Sequence, residues 1–351
     1  MYESLGFESL TAPQAAVIFA ILLGLAFGVL AERTKFCFRR GLVGEDRRAA
    51  MGVWMTALVF AVAGTQAMVA LDWISFADHR FMAADLPIVA IVIGGLLFGA
   101  GMVLTRGCVS RLTVLTGSGN LRALMVLVVF AITAHAALKG VLAPLRVWLG
   151  GFSVDFGVTS LADLPGGALF WSLALIVLAL TLVLRSGNRP AALVGAAAIG
   201  LLVPLGWVGT GYVLYDDFDP IVMESLSFTA PWSEALFFTV ASSAIPAGFG
   251  TGLVGGVLGG ALLASLLFGS FAWQSFSTPG ETGRYMSGAV MMGLGGTLAG
   301  GCTVGAGLAG IPSLSIAAIL ALASIAAGGL AMQRLLVLRP APQAASAVPA
   351  E

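Results

Sequence analysis

The segment GGLLFGAGMVLTRGC (94–108) aligns without a gap with a later segment, GAVMMGLGGTLAGGC (288–302). The two share four glycines, one leucine and the closing cysteine, so Cys108 and Cys302 occupy equivalent positions. Repeated segments of this kind are typical of chains built from two related halves. The pair therefore predicts two halves, each of which carries one cysteine at the end of a glycine-rich apolar stretch.

The composition indicates a protein that crosses a membrane many times. Of the 351 residues, 59% are hydrophobic and only 10% are charged, and the mean hydropathy is +1.01. A soluble domain of this length would expose several times as many charged side chains, which lipid-facing helices carry only at high cost. The formal net charge of zero gives no reason to expect nucleic-acid binding. A duplicated thiol in such a chain predicts a transport site at the interface between repeats.

Apolar runs that could cross a bilayer, which takes about 17 to 25 helical residues, predict about nine transmembrane helices. The first is expected to be retained, because the acidic start MYESLGFESL lacks the basic residues of a cleaved signal peptide. The run 235–270 is long and contains Pro246, so it is expected to form one tilted helix or two short ones. The runs lie at 13–31, 52–71, 86–104, 123–143, 166–184, 191–208, 235–270, 285–300 and 314–333.

The distribution of basic residues predicts the orientation of the chain, because cytoplasmic loops are enriched in Lys and Arg. Basic residues concentrate in 32–48 and recur at 185–189 and 334–339, whereas 72–85 and 216–234 are rich in acids. The basic loops are therefore expected in the cytoplasm. With nine crossings the N-terminus would be periplasmic and the C-terminus cytoplasmic. The two cysteine repeats would then enter from opposite sides, as in an inverted duplication.

We therefore predict an all-α polytopic membrane protein of about nine transmembrane helices in two pseudo-symmetric inverted halves. Broken or re-entrant helices would carry the cysteine motifs. A single transmembrane domain would cover 1–339, with halves of about 1–150 and 160–339. The small polar tail 340–351 is expected to be disordered. A weaker similarity between 28–38 and 265–276 sets Cys37 opposite Ser275.

Glycine continues past the predicted helices, in RGCVSRLTVLTGSGN (106–120) and GGCTVGAGLAGIP (300–312). Within a helix, small residues are explained by close packing. Irregular backbone at membrane depth is tolerated only where it is buried in protein or lines a cavity. Broken helices would direct their terminal N–H groups at a bound anion.

The cysteines depart from the usual role of a free thiol in an apolar helix, which is that of a small hydrophobe. Cys108 and Cys302 are equivalent in the repeat, and Cys37 lies in a cationic stretch. Three cysteines are too few and too odd in number for a disulfide scaffold. A functional role is therefore expected for all three.

Neither a metal ion nor another cofactor is expected. Zinc sites normally need four ligands at compact spacings. The only histidines, His79 and His135, have no second ligand nearby in sequence, and His135 is expected to make a packed polar contact.

Basic residues beside the thiols indicate an anionic substrate. Lys35 and Arg39 neighbour Cys37, and Arg106 and Arg111 bracket Cys108. The alternative explanation is that these charges only set the topology of cytoplasmic loops. No phosphate-binding loop with a Gly-Lys-Ser/Thr ending is present in the sequence, so pumping driven by ATP through this chain alone is not expected.

Three segments resemble the cysteine motifs of the YeeE/YedE family of membrane sulfur transporters. They are ERTKFCFRRGL (32–42), LLFGAGMVLTRGCVSRL (96–112) and GGTLAGGCTVGAGLAG (295–310), in that order along nearly the whole chain. The resemblance implies uptake of thiosulfate across the bacterial inner membrane and a small cytoplasmic sulfur-carrier partner of the TusA type. It also implies that the three cysteines are the family's thiols. Other members serve different sulfur compounds, and some are associated with selenium, so the substrate class is better fixed than the substrate.

Thiosulfate suits such a path because it is a dianion with one soft terminal sulfur. Thiols would donate weak hydrogen bonds to that sulfur while helix N-termini replace part of its hydration. Cys37, Cys108 and Cys302 would then relay the ion without covalent chemistry. The expected supporting residues are Lys35, Arg39, Arg106, Arg111, Gly107, Gly300, Gly301, Thr303 and Ser275.

Three alternatives stay open. A cysteine thiolate could attack the outer sulfur, keep it as a persulfide and release sulfite, which requires a nearby cation or helix N-terminus. The chain could instead be a membrane thiol enzyme that passes electrons or sulfane sulfur, although it has no Cys-x-x-Cys pair. A general anion channel with incidental cysteines is the third. The candidate acids for coupling to an ion gradient are Glu32, Asp72 and Glu281.

Overall fold

The computed structural model describes residues 10–338, except 156 and 217. This part of the chain is mostly helical and has almost no sheet. The predicted tail 340–351 lies outside the described residues. The α-helices are α1 Ala12–Thr34, α2 Phe38–Val43, α3 Arg47–Ala70, α4 Ile88–Leu104, α5 Val109–Gly117, α6 Leu121–Lys139, α7 Ala143–Gly150, α8 Gly167–Leu184, α9 Pro190–Val208, α10 Thr229–Ala241, α11 Phe249–Leu267, α12 Pro279–Leu298 and α13 Ile316–Leu338.

Short elements complete the fold. Two π-helical segments cover Gly209–Val213 and Thr303–Gly310. Two-residue strands, β1 Asp85–Leu86 and β2 Val154–Asp155, pair in antiparallel register. The remaining elements are 3₁₀ turns at Arg80–Met82, Leu161–Asp163 and Ile311–Ser313.

Within the described residues, nine helical segments are long and apolar enough to cross a membrane, which confirms the predicted number and class. The long run 235–270 forms two helices rather than one tilted helix. α10 ends at Ala241 and α11 begins at Phe249, and Pro246 lies in the connection. Because α10 has only 13 residues, α11 alone provides the seventh span. Proline cannot donate a helical hydrogen bond, which explains the break.

The repeated glycines bring α4 and α12 together backbone to backbone. A Cβ atom on Gly94 would lie 2.7 Å from the carbonyl oxygen of Gly295, and one on Gly101 would lie 2.5 Å from that of Gly288. The two helices are therefore antiparallel. Since Gly94 aligns with Gly288 and Gly101 with Gly295, the contacts are reciprocal, as a two-fold axis between the helices would make them. The inverted duplication as a whole stays a prediction.

The packing of the helices does not support the weaker similarity between 28–38 and 265–276 in the same way. A Cβ on Gly24 of α1 would lie 2.9 Å from the amide nitrogen of Val257, and one on Gly28 would lie 2.8 Å from that of Ala261. A step of four residues along α1 matches a step of four residues in the same direction along α11, so the two helices run parallel. One two-fold axis cannot relate this parallel pair and also the antiparallel pair α4 and α12.

We predict that Gly99→Ala destabilises the fold, whereas Gly255→Ala does not. A Cβ on Gly99 would overlap the carbonyl oxygen of Ile325 in α13 and lie 2.6 Å from the amide of Gly329. Overpacking of this kind costs about 1–3 kcal/mol. Gly255 is also inside a helix, but a Cβ there meets nothing within 4 Å, so it is the matched control.

The measurement is thermal unfolding of both purified variants in the same detergent. A lower melting temperature for Gly99→Ala alone is expected. Equal melting temperatures for the two variants would contradict the close contact between α4 and α13.

Candidate functional site

Each cysteine begins the second helix of a broken span. Cys37 precedes α2, Cys108 precedes α5, and Cys302 precedes the π-helical segment Thr303–Gly310. All three residues have the extended backbone of a helix N-cap. The broken helices that the sequence predicts are therefore present at all three motifs.

At each break, the residue two positions before the cysteine has a left-handed backbone conformation. Lys35, Arg106 and Gly300 all adopt left-handed conformations, with φ values of 51°, 59° and 74°. Glycine enters this region freely, whereas other residues lose roughly 1–2 kcal/mol there. At two breaks the left-handed position carries a basic side chain, Lys35 or Arg106, that is exposed to solvent.

Helix N-termini supply hydrogen-bond donors at the thiols. The amide of Gly305 donates to Cys302 Sγ at 3.3 Å, and Cys108 Sγ lies 3.2 Å from Ser110 Oγ. The first N–H groups of a helix have no partner inside it and carry a partial positive charge. Three such termini therefore surround the thiols with an environment that favours an anion.

The thiols form a row in the interior. Cys37 and Cys108 are close enough to interact through their side chains, and Cys302 lies within electrostatic range of Cys108. They are 6%, 1% and 0% exposed, and all are free. Thr303, predicted as a supporting residue, interacts with Cys108, and its buried hydroxyl has no hydrogen-bond partner among the described residues. That hydroxyl therefore lies beside the Cys108 thiol without a close hydrogen bond.

The predicted glycines shape the breaks. Gly107 and Gly301 are both buried. A Cβ on Gly301 would lie 2.8 Å from the amide nitrogen of Ala306, so a larger residue there would displace the π-helical turn behind Cys302. A Cβ on Gly107 would be 3.2 Å from Leu112, which is a tighter contact than usual but not an overlap.

A cluster of arginines lies at the Cys37 end of the row. The guanidinium of Arg39 is within electrostatic range of Cys37, Arg106 and Arg284. The Nε atoms of Arg39 and Arg284 are buried without a hydrogen-bond partner in the described structure. Arg39 and Arg106 were expected from sequence. Arg284 was missed, since it lies in the second turn of α12, far from any cysteine along the chain.

Other predicted charges are already paired. Arg111 forms an ion pair with Glu32 at 3.3 Å, and Arg122 forms one with Glu281 at 3.1 Å. Neither Glu32 nor Glu281 is therefore a free carboxylate. Lys35 is exposed, and its carbonyl accepts a hydrogen bond from Arg40.

Ser275 is not brought to the thiols. It is exposed in the connection between α11 and α12, beside the bridge that joins Asn120 and Gln274. His135 makes the packed polar contact expected of it, with Nδ1 at 2.9 Å from Ser233 Oγ and its ring stacked on Phe237.

A cavity of about 760 Å³ opens at the other end of the row. Its walls come from the connection after α3 and the segment after the π-helix Gly209–Val213. Gly305 and Ala309, which follow Cys302, also line it, and Arg80 lies within electrostatic range of Cys302. Phe249, at the start of α11, lies beside the cavity, whereas Cys37 follows the end of the parallel helix α1. The cavity and the arginine cluster are thus at opposite ends of the molecule.

The cavity wall was not identified from sequence. The connection that carries His79 and Arg80 and the segment that carries Glu224 are more than a hundred residues apart in the chain. Both were interpreted only as acid-rich external loops. Asp72, a predicted coupling acid, lines this cavity as well.

Comparison with known proteins agrees with the geometry. A family model described as sulphur transport matches residues 33–331. The thiosulfate transporter TsuA of Spirochaeta thermophila is 25% identical over 328 residues, which cover 86% of this chain and 93% of that protein. The thiosulfate transporter TsuA of Escherichia coli strain K12 is 24% identical over 324 residues, which cover 83% and 86% of the two chains. The chain is therefore a multi-pass membrane transporter, not an enzyme, and it belongs to the sulphur transport family whose cysteine motifs its sequence resembles.

Proposed function

We propose that this protein takes up thiosulfate, or a closely related sulfur-containing anion, across the bacterial inner membrane. The ion enters through the cavity and passes Cys302, Cys108 and Cys37 in that order. It leaves beside the arginine cluster of Arg39, Arg106 and Arg284. Both relatives are named thiosulfate transporters, which supports the choice of thiosulfate.

The observation that carries the proposal is the placement of three buried thiols at three helix N-termini, between a cavity and a cationic cluster. Each N-terminus is equivalent to roughly half a positive charge. Three of them offset much of the charge of a dianion. The ion can then lose water without the full cost of entering an apolar interior.

The thiols contribute selectivity for the soft end of the ion. An S–H group is a weak donor and a weak acceptor, so it releases a ligand more readily than a charged group would. Transport requires binding that is favourable enough for entry and weak enough for release at several successive sites. A row of neighbouring thiols meets that requirement without a covalent intermediate.

The predicted orientation gives the path its direction. The cavity lies among the loops expected to be external, and the arginine cluster lies among those expected to be cytoplasmic. The N-terminus would then be periplasmic and the C-terminus cytoplasmic. A small cytoplasmic sulfur carrier of the TusA type, which the family resemblance implies, would receive the sulfur at the arginine end.

We predict that Cys37→Ala, Cys108→Ala and Cys302→Ala each lower thiosulfate uptake by at least about tenfold, the effect of about 1.4 kcal/mol at one step of the path. Each substitution interrupts the row of sulfur donors. The measurement is uptake of radiolabelled thiosulfate into proteoliposomes and growth of a sulfur auxotroph on thiosulfate.

The matched control is Ser172→Ala, which removes a buried polar atom from α8 away from the thiols. It should transport normally. Normal uptake by all three cysteine variants would exclude the relay and favour a general anion channel.

A covalent route makes a different prediction. If a thiolate took the outer sulfur and released sulfite, thiosulfate would leave a persulfide on a cysteine. For the non-covalent relay, we expect intact-mass spectrometry of the protein after incubation with thiosulfate to show no added sulfur, and no sulfite to be released. Stoichiometric added sulfur, lost in one cysteine variant, would establish the persulfide alternative.

The arginine cluster generates a further prediction. Arg39→Gln should lower uptake by roughly tenfold or more, because a charge-assisted hydrogen bond is worth about 1.5–3 kcal/mol. Arg48→Gln removes the same charge from an exposed position in the same cytoplasmic stretch and is the control. Equal uptake rates for the two variants would show that Arg39 acts only through topology.

A further inference from the structure

The cavity contains a cation and an acid that face it without being paired. Arg80 lines the cavity and is accessible to solvent. The ion pairs of the described residues, defined by a distance of 4.0 Å or less, do not include it. The carboxyl group of Glu224 also lines the cavity and makes no side-chain hydrogen bond in the described part of the chain. Each side chain is therefore free to bind a ligand.

The backbone holds Glu224 in place although its carboxyl is free. The hydroxyl of Thr210 donates to the carbonyl of Glu224 at 2.7 Å and accepts from its amide at 2.9 Å. Thr210 belongs to the π-helix at the end of the sixth span, so the acid is fixed to a membrane helix. π-Helical segments frequently mark functional sites.

Arg80 connects this acid to the row of thiols. Its guanidinium is within electrostatic range of both Glu224 and Cys302. It also lies over the ring of Phe81, 5.1 Å from the centroid, which limits its motion. A guanidinium binds two oxygens of one oxyanion in a planar fork. An ion held in this way by its sulfonate oxygens can direct its terminal sulfur towards Cys302.

We propose that Arg80 and Glu224 form a proton-linked anion-binding site, in which Arg80 holds the incoming dianion and Glu224 takes up a proton as the anion binds. The inference rests on the proposed function in one respect, namely that the cavity is where the substrate enters. It adds a binding residue and a pH dependence that the row of thiols does not supply.

The charge state of Glu224 decides the sign of the effect. Burial is the main cause that raises the pKa of Glu224 to about 7, and nearby Glu234 raises it further while Arg80 opposes the shift. The neutral acid is therefore present at physiological pH. A dianion beside Arg80 repels the ionised carboxylate and favours the protonated form. Affinity should fall as pH rises through about 7, and binding should take up a proton.

The other titratable groups around the cavity are accounted for. Burial, with Arg80 nearby, lowers the pKa of His79 to about 4, so His79 stays neutral between pH 6 and 8. Burial raises the pKa of Glu234, which Lys139 opposes, so Glu234 needs its own variant. The remaining such side chains on the cavity wall are those of Asp72, Asp78 and Tyr215.

The test is calorimetric titration of purified protein in detergent with thiosulfate at pH 6, 7 and 8. If protonation of Glu224 is required, the wild-type dissociation constant should rise about tenfold between pH 6 and 8. Repeating the titration at pH 7 in buffers of different ionisation enthalpy should show uptake of about half a proton per anion.

Three variants separate the roles of Arg80 and Glu224. Glu224→Gln mimics the protonated acid, so it should bind thiosulfate tightly at all three pH values and take up no proton. Arg80→Gln should weaken binding by about tenfold or more at each pH, and Arg80→Lys should restore part of the affinity, because the charge returns without the planar fork.

The matched control is Asp78→Asn, which removes one negative charge from the wall of the same cavity. It should keep the wild-type pH dependence. The proposal is wrong if Glu224→Gln keeps that dependence, if Glu234→Gln abolishes it instead, if Arg80→Gln binds like the wild type, or if the wild type binds no thiosulfate.

The proposed function and this inference can fail separately. If the wild-type protein binds thiosulfate in the expected pH-dependent way but does not transport it, the proposed uptake is wrong and the proposed binding site still stands. If the wild-type protein transports thiosulfate, its affinity does not depend on pH and Arg80→Gln binds equally well, the proposed binding site is wrong and the proposed uptake still stands.

Discussion

The structure depends on one constraint, which is that backbone freed from a helix inside a membrane must find partners within the protein. Three spans in the described part of the chain are broken, and each break releases N–H groups that have no partner inside their own helix. The breaks are tolerated because they meet in the interior, enclosed by helices that approach one another through glycine. Collecting the breaks in one place also collects three helix N-termini. The anion-favouring environment is thus a consequence of how the fold satisfies its own backbone.

The surroundings of the thiol row differ at its two ends. Around Cys37, arginines crowd together, and their mutual repulsion is relieved by an anion. Near Cys302 the guanidinium of Arg80 is accompanied by the carboxyl group of Glu224, which can be neutral or charged. One end therefore offers a constant positive potential and the other a variable one. An electrostatic difference of this kind can bias an ion's position along the row without any source of chemical energy.

Local sequence predicted the parts of the site that lie close together in the chain. Glycine beyond the apolar stretch indicated the breaks at Cys108 and Cys302, and the repeat identified these two cysteines as equivalent. Local sequence could not show which segments far apart in the chain lie close together in the fold. Arg111 was expected to face the substrate, but Glu32, on another helix, pairs with it. Sequence analysis did not identify Arg80, because only folding brings it within electrostatic range of Cys302.

The reciprocal glycine contacts between α4 and α12 bear on how such a molecule can move. Many transporters alternate access by rocking one repeat against the other. Here the carbonyl oxygens of Gly288 and Gly295 lie where the missing side chains of their partners would be. Helices interlocked at this distance cannot slide without separating, and separation would expose broken backbone. We therefore expect α4 and α12 to act as one rigid unit, with gating left to side chains along the path, so that turnover would depend little on membrane thickness or lateral pressure.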